Sequence, residues 1–323
     1  MESTTATEVK NMKYANGDTM PAFGLGTWKS NPGEVKNAVY TAIEAGYRHI
    51  DCADIYGNQA EVGEGIEKAI GEGLCQREDL WITSKLWNSD HRKEQVEKAL
   101  KRMLGDLKLE YLDLFLVHWP LALKEGVKMP EGPDDFLSMD EVPLTETWRA
   151  MAHCREKGLT RHIGVSNFNQ NHLAEVMKEG PAPEMNQIEL HPYLPQEDLV
   201  NYCKQNNILV TAYSPLGSSD RPEQMKKDDE PLLYENDAVK EIADKHDTSP
   251  FHVLLAWGLN RDTAVIPKSV TPDHIKSNLK ANEISLDAED MQKIANLDQD
   301  YRFVDGSFWA MDGSPYSIEY LWG

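Results

Sequence analysis

Cysteine is scarce in this chain, and its four copies, Cys52, Cys75, Cys154 and Cys203, are scattered without a CxxC pair. That spacing offers no metal-ligand set, so no metal is expected, and it argues against a disulfide framework. Basic residues are outnumbered, 33 Lys and Arg against 54 Asp and Glu, for a formal charge of −21. Such a balance excludes nucleic acid or an anionic membrane as a general partner, while a local basic pocket stays compatible with it. Long apolar runs are missing too: no stretch approaches the ~20 residues that a bilayer span needs. The opening Met1-Glu2-Ser3-Thr4-Thr5 lacks the basic and apolar regions of a secretion signal, so a cytoplasmic protein is expected, and a monomer.

What is present is a steady alternation of strand and helix patterns. The 323 residues are 40% hydrophobic and 27% charged, a composition and length that suit one α/β barrel domain spanning 1–323. Residues 1–10 read as a disordered lead. Met12-Lys13-Tyr14, Asn16-Gly17 and Met20 onward predict a β-hairpin, with Asn-Gly supplying the positive φ angles of a tight turn. Strands follow at 23–28, 46–51, 80–84, 112–117, 162–165, 185–187, 208–212 and 264–266. Helical spacing falls between them at 32–44, 61–70, 91–107, 144–157, 170–178, 196–205, 237–245 and 250–258, with a last helix from Pro272. Such units predict parallel strands closed into a (β/α)8 TIM barrel with an N-terminal β-hairpin cap. The segment 120–143, with Pro120, Pro130, Gly132, Pro133 and Pro143, is too long for a simple turn and reads as a candidate lid. The aromatic tail after Tyr301 reads as packed.

Gly24-x-Gly26 invites a dinucleotide-fingerprint reading, which is rejected. The third glycine position holds Lys29, and a hairpin stands upstream where that motif has none.

Four ionisable side chains fall where strands run out: Asp51, Tyr56 on the loop just beyond it, Lys85 and His118. Functional groups of α/β barrels gather at those strand ends. A phenol with a reference pKa of about 10 is a poor acid at neutral pH. An ammonium beside it favours the phenolate, so Lys85, held by Asp51, is expected to lower the Tyr56 pKa. His118 offers a donor to a substrate oxygen. The set suits proton delivery to a carbonyl that is taking a hydride. Each residue alone has a plainer reading, a satisfied salt bridge or a hydrogen-bonded core histidine; four in one constellation outweigh it.

Gly26-Thr27-Trp28, Tyr47-Arg48-His49-Ile50-Asp51, Ile55-Tyr56-Gly57-Asn58, Ser84-Lys85-Leu86-Trp87 and Val117-His118-Trp119-Pro120 resemble the aldo-keto reductase family. Gly164-Val165-Ser166-Asn167-Phe168, Asn186-Gln187, His191-Pro192-Tyr193, Ala212-Tyr213-Ser214-Pro215-Leu216-Gly217 and Ile266-Pro267-Lys268-Ser269 continue the resemblance, which runs from about Met12 to about Tyr301. It looks nearest to the aldehyde/aldose reductase branch. The resemblance implies an NADPH-dependent reduction of aldehydes, sugar aldehydes among them, and of some ketones. Tyr56 is then the general acid, supported by Lys85 and Asp51, with His118 orienting the carbonyl.

The resemblance also implies the cofactor contacts. Thr27 and Trp28 belong to the first strand end, Ser166, Asn167 and Gln187 to the carboxamide, and Tyr213 to a ring stacked on the nicotinamide. Ser214, Leu216 and Ser218 fall on the loop over the pyrophosphate, Lys268, Ser269 and Val270 at the 2′-phosphate, and Asn278 at the adenine. His274 stands where the family usually has arginine, and Ser277 where it has glutamate. Arginine is a permanent, bidentate phosphate clamp and histidine is not, so NADPH stays the expected cofactor because of Lys268, with its margin over NADH, the weaker alternative, narrowed. Trp28, Ile55, Trp87, His118 and Trp119 would line the substrate pocket, with 120–143 and 301–323 as substrate-loop candidates.

Two rival readings remain. A barrel lyase could use Lys85 as a Schiff-base amine, but Ser166, Gln187, Tyr213 and Lys268 would then have no task. A cofactor-binding protein without turnover could share the fold; the complete catalytic set argues against it.

Overall fold

The computed structural model describes residues 8–227 and 230–323. Its centre is an eight-stranded parallel sheet. In chain order the strands are β1 (Leu25–Gly26), β2 (His49–Asp51), β3 (Trp81–Leu86), β4 (Leu112–Val117), β5 (Thr160–Ser166), β6 (Met185–Glu189), β7 (Leu209–Tyr213) and β8 (Ala264–Val265). The sheet curls until its two edges meet. Phe23 bridges Val265 and Gly26 bridges Lys268, and the Gly24 and Gly26 N–H groups donate to Val265 O at 2.9 Å and Pro267 O at 3.0 Å. Glycine is required at this seam: a Cβ on Gly24 would sit 2.8 Å from the His49 ring, and one on Gly26 2.7 Å from Ile266 O. Both glycines of Gly24-x-Gly26 are therefore packing residues.

β3 and β4 are buried along their whole length, and their polar residues Ser84, Lys85 and Asp113 are held by internal hydrogen bonds. Helices α1 (Val35–Ala45), α2 (Gln59–Gly71), α3 (Lys93–Leu107), α4 (Leu144–Glu156), α5 (Gln170–Met177), α6 (Glu197–Gln205), α7 (Asp237–Lys245), α8 (Pro250–Asn260) and α9 (Pro272–Asn278) follow the strands. α3 shows the logic: Val96, Ala99, Leu100, Met103, Leu104 and Leu107 recur at helical spacing and face the sheet, while its charged residues face outward. Two helices beyond the expected set, α10 (Ala288–Ala295) and α11 (Ile318–Trp322), complete the chain. Among the described residues no helix is long and apolar enough to cross a membrane.

Residues 1–7 of the expected lead lie outside the described residues. Of the remainder, Val9 packs on the core and the Lys10 carbonyl accepts the Ala22 N–H at 2.8 Å, so order begins before the hairpin. The hairpin pairs Asn11–Lys13 with Thr19–Pro21. Its turn needs only Gly17 in the left-handed region, at φ 97, not both Asn16 and Gly17. Tyr14 and Asp18 lay it over the N-terminal ends of β3 and β5, through Trp81 and His162.

At the opposite rim, the expected lid is fastened rather than free. Ala122–Leu123 pairs with Phe136–Leu137, the Tyr316 hydroxyl donates to Leu137 O at 2.7 Å, and Tyr320 donates to Pro120 O at 2.7 Å. The aromatic tail is packed as expected, with Trp309 and Leu321 fully buried.

Candidate active site

The C-terminal strand ends surround a cavity of about 340 Å³. Asp51 enters it as the last residue of β2, Tyr56 from the single turn at 54–56, Lys85 lies beneath it from β3, and His118 follows β4. The Lys85 ammonium lies 2.5 Å from Asp51 Oδ1, 2.8 Å from Cys52 O and 3.5 Å from the Tyr56 hydroxyl. Asp51 and Lys85 are almost entirely buried, so neither charge has water to replace its partner. The second Asp51 oxygen accepts from Gln187 Nε2 at 2.7 Å, and the Thr27 hydroxyl donates to Asp51 O at 2.8 Å. The four residues expected to act together are thus brought together.

Burial pushes the Tyr56 phenol well above its ordinary pKa, and the negative charge of Asp51 pushes it further in the same direction. This corrects the expectation that the Tyr56 pKa is lowered: desolvation disfavours the phenolate by more than the ammonium, already paired with Asp51 and Cys52 O, favours it. Tyr56 therefore rests as a protonated phenol. His118 moves the other way. Burial, then the Lys85 charge, hold its imidazole well below the usual value, so it is neutral, with Nδ1 lacking a hydrogen-bond partner.

A polar wall continues across β5, β6 and β7. Ser166 donates to Gln187 O at 2.9 Å, Asn167 Nδ2 donates to His118 O at 3.0 Å, and the Tyr213 hydroxyl donates to Asn167 Oδ1 at 2.7 Å. Asn167 and Ser214 hold left-handed backbone at φ 62 and 48, a conformation that non-glycine residues adopt at some cost. Ser214, Leu216 and Ser218 line the cavity on the loop after β7. Lys29 bonds Ser218 Oγ at 2.9 Å and is paired with Asp220, which also receives Lys268 at 3.3 Å. One carboxylate thus bridges two cations across the cavity, drawing the 218–220 loop toward both β1 and β8.

One end of the cavity is apolar. Trp28, Ile55, Trp87, His118 and Trp119 all line it, as expected. Trp87 Nε1 donates to Lys128 O at 2.8 Å, tying the 120–143 segment to this wall. Met129, Val304, Phe308 and Trp309 line it as well; they lie in the two expected substrate-loop segments but were not singled out as residues, and Lys29 and Asp220 were missed altogether. The Phe308-Trp309 pair in an aromatic tail was the only local signal. Four expected cofactor residues stand outside the cavity lining. Ser269 accepts the Thr271 N–H at 3.1 Å, Val270 is half-buried, His274 is exposed on the first turn of α9, and Asn278 is buried at its end.

The model of the Aldo/keto reductase family matches residues 20–299. An aldo/keto reductase of Synechocystis sp. is 47% identical over 318 residues, covering 97% of each chain. The Aldo-keto reductase family 1 member A1 of Gallus gallus is 45% identical over 292 residues, 90% of this chain and 89% of the relative. Among solved structures, the aldose reductase of Schistosoma japonicum superimposes with a TM-score of 0.83 at 40% identity, covering 91% of this chain and 93% of that one. With the barrel, the strand-end constellation and these relatives in agreement, the chain belongs to the aldo/keto reductase family, oxidoreductases of carbonyl compounds that use nicotinamide cofactors.

Proposed function

We propose that the protein is an NADPH-dependent reductase of aldehydes, sugar aldehydes included, and of some ketones, with Tyr56 as the proton donor. The observation that carries this reading is the Tyr56 hydroxyl 3.5 Å from an ammonium buried against Asp51, at the floor of a cavity with an apolar end and a cationic one.

The residues present fit a nicotinamide dinucleotide. Amide and hydroxyl groups of Ser166, Asn167 and Gln187 suit a carboxamide, and the Tyr213 ring offers a flat face to a heterocycle. Ser214, Leu216 and Ser218 suit the pyrophosphate, and Lys29 and Lys268 supply positive charge for phosphates. Thr27 and Trp28 adjoin the same groove, and Ser269, Val270, His274 and Asn278 would serve the adenosine end. When bound, the cofactor supplies the hydride. Lys268 keeps NADPH ahead and NADH the weaker alternative, by a margin narrowed because His274 is not a permanent charge.

Tyr56 delivers its proton to the carbonyl oxygen. Its raised pKa keeps that proton in place until negative charge develops on the substrate oxygen and lowers the barrier to transfer. Lys85 then stabilises the phenolate left behind, and Asp51 and Gln187 keep Lys85 aimed. Neutral His118 donates to the same carbonyl oxygen and fixes its orientation. Trp28, Ile55, Trp87 and Trp119 exclude water from the reacting centre. The protein would act as a monomer in the cytoplasm on a small-molecule carbonyl substrate.

The test is Tyr56→Phe, which keeps the ring and removes the proton. Aldehyde turnover should fall by about 10²–10⁴-fold while NADPH still quenches tryptophan fluorescence. A Phe variant that reduced aldehydes at the wild-type rate would remove Tyr56 from the mechanism.

A further inference from the structure

Glu189 is the last residue of β6, at the same rim as the cavity but outside its lining, and both it and His191 are wholly buried. A carboxylate withdrawn from water is costly unless hydrogen bonds replace its hydration. Three donors do so. His191 Nε2 at 2.8 Å and the Phe303 N–H at 2.7 Å reach Oε1, and the Val304 N–H reaches Oε2 at 2.8 Å. Burial by itself raises the Glu189 carboxyl. The His191 hydrogen bond and charge, Arg302 and the Val304 N–H outweigh it and bring the group below the usual carboxylate value.

Two of those donors are backbone groups of the tail at the point where it crosses the barrel mouth. Phe303 turns inward: its ring lies 5.0 Å from that of His191, and a Cβ on Gly217 would come within 3.3 Å of it. Val304, Phe308 and Trp309 line the cavity. The same two-residue grip therefore holds the chain where it enters this wall of the cavity.

We propose that Glu189 is a positioning residue for the substrate: its carboxylate holds the tail at 303–304 and so sets the apolar wall made by Val304, Phe308 and Trp309. This rests on the carbonyl-reductase reading of the cavity. An amide cannot take its place. With glutamine at 189 the NH2 group faces the Val304 N–H in one orientation and the Phe303 N–H in the other, so one tail N–H loses its acceptor either way. Aspartate is one methylene short of reaching both.

Glu189→Gln is compared with wild type in two arms. With saturating NADPH, KM for benzaldehyde should rise about tenfold, the scale of one lost hydrogen bond to a charged group, while kcat changes by less than about threefold. KM for propanal, too short to fill the wall, should change little; Glu189→Asp should fall between wild type and Gln. Equal losses of kcat for both aldehydes, or an unchanged KM for benzaldehyde, would overturn the proposal. In the second arm, amide hydrogen exchange read by mass spectrometry should find 303–304 protected in wild type and at least about tenfold faster in the Gln variant. Unprotected 303–304 amides in wild type would overturn the anchor without recourse to any variant, including one that fails to fold. A wild-type protein that reduced neither aldehyde would refute the reductase reading, and the exchange arm would still decide the anchor.

Discussion

Two clusters of ionisable groups, each around a buried member, stand at opposite ends of the barrel. At the hairpin end the His162 imidazole lies between Asp18 and Glu184, 2.9 Å from each. Asp113 beside it accepts from Arg77 at 2.8 Å, the Ile82 N–H at 2.9 Å and Arg161 at 3.2 Å. At the rim Asp51 and Lys85 are buried as deeply, yet the Tyr56 hydroxyl stands at the long distance of 3.5 Å and His118 Nδ1 has no partner. Orphaned atoms are not confined to the rim, since Trp81 Nε1 and Arg77 Nε are unpartnered near the hairpin. The difference lies in what they face. A closed cluster, covered by the hairpin, can only hold the fold together. The open one borders a cavity where a bound molecule completes its hydrogen bonds, so its incompleteness is available for chemistry.

The largest expected effect is Tyr56→Phe, which should cost about 10²–10⁴-fold in turnover and leave the melting temperature within a degree or two of wild type. A stability loss comparable to that of a core mutation would erase the contrast between the two ends. Lys85→Met should show that the rim also carries structural load. It leaves Asp51 buried with Gln187 alone, so stability should drop by about 3–5 kcal/mol and turnover should fall with it. Urea unfolding and a pH–rate profile measure the two effects, and a variant unchanged in both would detach Lys85 from the site.

His162→Phe asks the converse question. It takes the imidazole from Asp18 and Glu184, which keep Arg161 and Arg155 respectively and are partly exposed, so the loss should be about 1–3 kcal/mol in urea unfolding. The kcat/KM ratio should stay within about twofold of wild type; a large catalytic loss would mean that the two ends are coupled. The smallest change is expected where the rim is open to water. His274→Arg places a permanent charge on α9 and should tighten NADPH by about 1 kcal/mol without changing NADH. Fluorescence titration with both cofactors decides it, and equal tightening of the two would place His274 away from the 2′-phosphate.

The alternation of strands and helices was legible because each element is amphipathic or apolar with its own period, a property of neighbouring residues. α10 was overlooked despite Asp287 and Asp290 forming a capping box around its start. The Asn16-Gly17 hairpin was found, although the turn uses only the glycine. Asp51, Tyr56, Lys85 and His118 were legible as a set because a barrel gathers its strand ends whatever the loops between them do.

Sequence by itself determined the barrel, the order of its units and which four groups meet at the rim, since local periodicity and parallel topology suffice for those. Tertiary structure alone decided the rest. Lys29 and Lys268 meet on Asp220 across 191 and 48 residues, and Glu189 reaches Phe303 across 114, separations that no local pattern encodes. Even the direction of the Tyr56 pKa depended on the fold. Sequence shows that an ammonium is near the phenol, but only the packed structure shows that the ammonium is already paired and the phenol removed from water, and desolvation then outweighs the attraction.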